Sequence, residues 1–161
     1  MMNTNMLKAC LLLAGLFGFS EIHAADVYYK SHVANKGWLS WVSNSQTSGA
    51  TGEGRWIEAI KVSLKGLPSS CSVNYQVYTA DTGWMSWVKN SATAGTTGEG
   101  RQLEAFKVQL SKCPGWIIRY QAHVAQKGWM NWTSNGGVAG TTGEARRLEA
   151  IKIKLVRDND S

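Results

Sequence analysis

The chain has 161 residues, 43% of them hydrophobic, and its 17 Lys and Arg against 11 Asp and Glu give a net charge of +6. That length supports one ordinary hydrophobic core. The basic residues are dispersed singly, without the stripe or groove-reading element that a nucleic-acid partner needs, so nucleic-acid binding is set aside. A mild positive field remains, suited to solubility and to anionic surfaces such as lipopolysaccharide or acidic glycans.

The first residues, "MMNTNMLKACLLLAGLFGFSEIHAAD", place Lys8 before an apolar run from Ala9 to Phe19 and a small-residue exit at Ala24 and Ala25. This is the layout of a secretory signal peptide over residues 1–24. The run is about 11 residues, against the roughly 20 that span a bilayer. Export predicts a secreted or periplasmic protein whose mature domain is residues 25–161, with no transmembrane segment after signal removal. Two cysteines stay in that domain, Cys71 and Cys113, a possible disulfide in an oxidising compartment. Both precede the opening strand of a repeat. They bond only if those corners bring their α-carbons within about 7 Å.

Three repeats follow, at about 27–66, 72–112 and 116–157. Each reads tyrosine, extended segment, Gly-Trp-x-x-Trp, a Gly/Thr/Ser-rich loop, then "GRWIEAIKVSL", "GRQLEAFKVQL" or "ARRLEAIKIKL". Length varies only in the linkers, as surface connections between rigid units allow. The last segment alternates in the manner of a strand, and aromatic and β-branched residues crowd the extended segments. An all-β single domain with pseudo-threefold symmetry is expected, β-prism-like, with a β-trefoil as the alternative. An open array would expose sheet edges to aggregation.

The pattern "HVANKGW..WV.N....G.TGEGR..EAIK" resembles the clostridial hydrophobic repeat with a central tryptophan, the ChW repeat. The segments "GWMSWV" and "AGTTGEGRQLEAFKV" carry the likeness most specifically, and three copies cover the mature chain. The resemblance implies a secreted or cell-surface module that binds carbohydrate or protein, and no catalytic activity.

Strand parity sorts the tryptophan pairs, since residues three apart on a regular strand face opposite ways. Trp41, Trp87 and Trp132 share a face with Leu39, Met85 and Met130 and are assigned to the core. Trp38, Trp84 and Trp129 keep polar company. A hairpin across "ANKG", "ADTG" and "AQKG" would set them beside His32, Tyr78 and His123. An aromatic ring beside hydrogen-bonding groups is suited to a sugar, so these six are candidate ligand contacts. Glu53, Glu99 and Glu144, in the Gly/Thr loops, are candidate rim acceptors for sugar hydroxyls. Those loops lack a Gly-Lys-Ser/Thr sequence and are not phosphate loops.

Glu58, Glu104 and Glu149 share a face with Ile60, Val62 and Leu64 or their equivalents by the same alternation. A buried carboxylate needs a partner, and Arg55, Arg101 and Arg146, three positions earlier, are assigned to them as structural ion pairs. No Cys/His cluster has metal spacing, no cofactor motif is present, and nothing sets apart an acid from a base. The expectation is a secreted, non-catalytic, lectin-like module with up to three sites for a glycan or cell-surface polysaccharide. The alternative is a protein-interaction or adhesion module binding a surface protein.

Overall fold

The computed structural model describes residues 24–160. The leader expected at 1–24, save its last residue, lies outside the described residues. Repeat 1 supplies β1 (Asp26–Val33), β2 (Gly37–Trp38), β3 (Val42–Ser43), β4 (Ser48–Gly49) and β5 (Ile57–Lys65). Repeat 2 supplies β6 (Ser72–Thr79), β7 (Gly83–Trp84), β8 (Val88–Lys89), β9 (Ala94–Gly95) and β10 (Leu103–Ser111). Repeat 3 supplies β11 (Trp116–Val124), β12 (Gly128–Trp129), β13 (Thr133–Ser134), β14 (Ala139–Gly140) and β15 (Leu148–Arg157), and one 3-10 turn follows at Asp158–Asp160. The fold is all-β, with three similar sheets, one per repeat. They do not merge into a closed barrel, so the prism-like expectation stands and the trefoil is set aside.

Within each repeat the two long strands pair antiparallel: β1 with β5, β6 with β10, β11 with β15. The short strands after the first long one fold back onto it. The fourth strand of each repeat leaves its own sheet. β9 joins β5, β14 joins β10, and β4 joins β15. The exchange is cyclic, so the first repeat is fastened to the last by the same bonds that join the others.

The inner faces of the sheets meet in one core. Val27, Tyr29 and Val33 from β1 are fully buried, as are Val73, Tyr75 and Val77 from β6 and Ile118, Tyr120 and Val124 from β11. Each tyrosine gives its hydroxyl proton to a loop carbonyl of its own repeat, Gln46, Ala92 or Gly137. Burial raises all three phenols, Tyr29 to about 12, with hydrogen bonding to the backbone a smaller opposing influence.

The second long strands do not alternate as expected. Val33 pairs with Ile57 and His32 with Ala59, so Glu58 is an extra residue, a β-bulge. Glu104 and Glu149 occupy the same bulge, in the pairs Leu103–Thr79 and Ala105–Tyr78, and Val124–Leu148 and His123–Ala150. A bulge re-aims a side chain and resets parity. Ile57 consequently enters the core beside Ile60 and Val62, and the glutamates leave the face assigned to them.

The exchanged strands approach the bulges closely. A Cβ on Gly49, Gly95 or Gly140 would stand 2.3 Å from the carbonyl oxygen of Glu149, Glu58 or Glu104, and the three glycines have φ of 132°, 103° and 105°. No other residue fits there.

Cys71 and Cys113 are bonded, with α-carbons 4.7 Å apart. They are not at equivalent corners. Cys71 enters β6 and Cys113 leaves β10, and their neighbours Ser72 and Ser111 pair directly. Closing a loop of separation 42 stabilises by about 4 kcal/mol on the chain-entropy account.

Gly95→Ala is expected to destabilise by about 3 kcal/mol or more, from backbone overlap and positive φ together. Gly54→Ala, also at positive φ but facing open space and matched in repeat 3 by Ala145, is expected to cost about 1 kcal/mol. Urea denaturation compares the two, and equal costs would refute the close-approach account. Alkali offers a separate check. Burial favours the protonated phenol of Tyr29, so its contribution is complete below about pH 10, where a free tyrosine ionises, and is lost as pH rises towards about 12. Phenolate absorbance and circular dichroism should therefore report unfolding coupled to tyrosine ionisation in that window.

Candidate functional site

The hairpin that follows each opening strand turns at a glycine with φ between 71° and 79°, at Gly37, Gly83 and Gly128. It sets His32 across from Trp38, Tyr78 across from Trp84, and His123 across from Trp129. The rings meet edge to face with centroids 5.3, 5.4 and 5.3 Å apart. Such pairs contribute about 0.5–1.5 kcal/mol beyond the area they bury. The six residues proposed as neighbours are neighbours.

The second tryptophans are not in the core. Trp41 and Trp87 are each 42% exposed, and Trp132 is half-buried. Parity fails because the strand breaks between Trp38 and Val42. In the gap the Leu39 N–H bonds to the Ser31 carbonyl, and Leu39, Met85 and Met130 pack against the core by themselves. Both tryptophans of a pair therefore reach the outer surface of the sheet.

Lysines stand over these rings. Lys61, Lys107 and Lys152 place Nζ 5.1, 4.2 and 4.5 Å from the ring centres of Trp38, Trp84 and Trp129. Lys30 lies 5.1 Å from Trp38 and 4.9 Å from Trp41, and Lys154 lies 4.5 Å from Trp132. The first three occupy one position of "EAIKV", "EAFKV" and "EAIKI". Their recurrence is the signal that sequence reasoning passed over as ordinary surface charge.

The ion pairs also differ from expectation. Arg55, Arg101 and Arg146 do not reach Glu58, Glu104 and Glu149; their Nε atoms lie 3.5, 3.2 and 3.1 Å from Glu53, Glu99 and Glu144. Lys36 and Lys127 add contacts of 2.6 and 2.8 Å to Glu53 and Glu144. Hydrogen bonding from those lysines holds both carboxyls below the usual range against the opposing effect of desolvation, with the charges of the lysines and arginines adding to it. These rim carboxylates are already occupied by cations, in exposed pairs of little energetic weight.

The bulge glutamates are satisfied in three ways. Glu58 lies 3.0 Å from His32 Nδ1 and accepts the N–H groups of Gly98 and Gly100, from the loop of repeat 2, at 3.3 and 3.1 Å. Glu149 meets His123 Nδ1 at 3.1 Å and Arg147 at 2.9 Å. Glu104, fully buried, accepts only the Gln102 amide among the described residues, at 3.3 Å, and its Oε2 has no hydrogen-bond partner there. Repeat 2 has Tyr78 where the others have histidine. Among the described residues no group of three or more His, Cys, Asp or Glu is disposed to hold a metal, and no helix is long and apolar enough to cross a membrane.

Glu58→Gln leaves one acceptor oxygen for two loop N–H groups, setting an NH2 against the other, and is expected to destabilise by about 2 kcal/mol. Glu104→Gln discharges a carboxylate with one bond and should cost at least about 1 kcal/mol less, or stabilise. Chemical denaturation of both variants measures the difference, and equal losses would contradict the assigned partners.

Comparison with curated proteins and with solved structures returned no match. A family model does match, the one described as "Clostridial hydrophobic W", at residues 32–66, 78–112 and 123–157. Those three segments lie on the three sheets and together span more than half of the chain, which belongs to the ChW family as three consecutive repeats.

Proposed function

We propose that this protein is an exported, non-catalytic saccharide-binding module. The observation that carries the reading is the placement of three tryptophan pairs on the outer faces of the sheets. Their indole surface adds nothing to a core already closed by tyrosine and aliphatic side chains. Exposed aromatic surface of this kind marks binding sites, and tryptophan stacks on the C–H faces of a sugar while His32, Tyr78 or His123 hold its hydroxyls. Threefold repetition lets weak sites on one polymer act together. The Cys71–Cys113 bond supports export, since such bonds persist in oxidising compartments.

In repeats 1 and 2 the second tryptophans, Trp41 and Trp87, replace the first as the principal contacts because they are the more exposed of each pair, whereas in repeat 3 Trp129 is the more exposed. Trp41→Ala and Trp87→Ala should each leave stability within about 1 kcal/mol, as surface changes do, and should lower binding to polysaccharides captured on a glycan array. Retention of every glycan signal in the double variant would sink this reading. Absence of glycan binding by the wild type, together with capture of a defined surface protein lost in the same variants, would establish the adhesion alternative.

A further inference from the structure

The three outer faces are not equivalent, and repeat 1 differs in a way that selects a ligand. At the position of Lys30 the other repeats carry Gln76 and Gln121, and at that of Tyr28 they carry Asn74 and Arg119. In repeat 1 a recess of about 260 Å³ is lined by Tyr28, Trp41, Ser63 and Lys65. Two aromatic residues, a hydroxyl and an ammonium thus meet at one place. Lys65 lies 4.5 Å over the Tyr28 ring, and Lys30 stands about midway between Trp38 and Trp41. Among the described residues, Lys30, Lys61 and Lys65 have no carboxylate within ion-pair reach. The nearest acid in the strand register, Asp26 across from Lys65, is engaged by the Asn44 amide.

We propose that the recess of repeat 1 is the principal saccharide site and takes a uronic acid residue of an acidic polysaccharide, its ring against Trp41 and Tyr28 and its carboxylate between Lys30 and Lys65. The inference rests on the saccharide-binding reading and specifies it. Ammonium groups over indole and phenol faces gain from an anion that can approach within hydrogen-bond distance. A carboxylate fixed directly to a sugar ring brings that charge to the edge of a stacked ring. The recess is slightly smaller than the roughly 300 Å³ at which sites for whole drug-sized ligands begin, so it suits a single ring of a longer chain. Repeat 2 carries Asn74, Gln76 and Ser111 where repeat 1 has Tyr28, Lys30 and Lys65, so it lacks both of these lysines.

Titration calorimetry with oligogalacturonate and its methyl ester, on the full chain, tests the assignment. The acid is expected to bind at least about tenfold more tightly than the ester, the worth of one charge-assisted hydrogen bond, and its affinity should fall as salt is added. Lys30→Gln and Lys65→Ser copy residues that repeat 2 already carries, so both should fold, with an unchanged melting temperature as the check. Each should lose most of the preference for acid over ester. Equal affinity for acid and ester, or variants that bind the acid as tightly as the wild type, would overturn the uronate assignment and leave the saccharide reading intact. Failure of the wild type to bind any saccharide, neutral or acidic, would remove both. An affinity for oligogalacturonate that does not change with salt would also overturn the assignment, independently of any variant.

Discussion

The fold depends on three places where the backbone of one repeat lies against the bulged glutamate of another. At each, a glycine without a side chain allows a short strand to cross into the neighbouring sheet, and the glutamate carbonyl receives a main-chain N–H from the visitor: Thr96 to Glu58, Thr141 to Glu104, Ala50 to Glu149. The repeat therefore cannot complete its own sheet. Each long strand β5, β10 and β15 would be left with an unpaired edge if the next repeat were absent, and unpaired edges invite association. Three units satisfy one another because the third returns to the first. The closing pair, Gly49 with Ala150, joins distant parts of the chain. Such non-local pairing carries a loop-closure cost and belongs to slow-folding topologies.

That construction divides the two faces of every sheet. The inner face must fill one shared space at crystal-like density, which leaves little latitude for change. Tyr29, Tyr75 and Tyr120 are accordingly the same residue making the same bond to the same loop position. The outer face has no such packing condition. There the repeats keep the hairpin glycine, the aromatic pair and the lysine over the first tryptophan, but diverge around them, with His32, Tyr78 and His123 or Tyr28, Asn74 and Arg119. The bulge glutamate lies where the two regimes meet. In repeat 1 its carboxylate touches both the outer histidine and the loop of repeat 2, linking the presented aromatic pair to the junction that holds the ring together.

Much of this was legible in the sequence because period and spacing are local properties. The three repeats, the strands, and the hairpin contacts of His32 with Trp38 and their counterparts all follow from alternation and turn chemistry. Where alternation is interrupted the reading fails. One interruption is the break after Trp38, which returns Trp41 to the outer face. The other is the bulge at Glu58, Glu104 and Glu149, which detaches the glutamates from Arg55, Arg101 and Arg146. Neither leaves a mark in hydrophobic periodicity, since one bulged residue shifts parity without changing composition. The exchange of strands between repeats was equally hidden. Gly49, Gly95 and Gly140 look like loop glycines until the partner backbone is seen.

The exposure of Trp41 and Trp87 has a simple structural cause and a functional consequence. Leu39 and Met85, two residues earlier, already occupy the space beneath the hairpin, so no vacancy remains into which the indoles could turn. Their backbone position is set by the hairpin, and a ring face is left to solvent. Tryptophan offers a large contact area with only two side-chain torsions to fix on binding. The lysines refine what such a surface accepts. An ammonium over a ring contributes about 0.5–1 kcal/mol at an exposed site and occupies that face against a neutral stacking partner. It also presents a positive charge at the ring's margin. The more ring faces a sheet covers in this way, the further its preference moves from neutral sugars towards anionic ones. By that measure repeat 1, where Lys30 touches both indoles, Lys61 one of them and Lys65 the Tyr28 ring, stands towards the anionic end together with repeat 3, where Lys152, Lys154 and Arg157 cover Trp129, Trp132 and Trp116. Repeat 2, whose Trp87 bears no such cation among the described residues, stands at the neutral end.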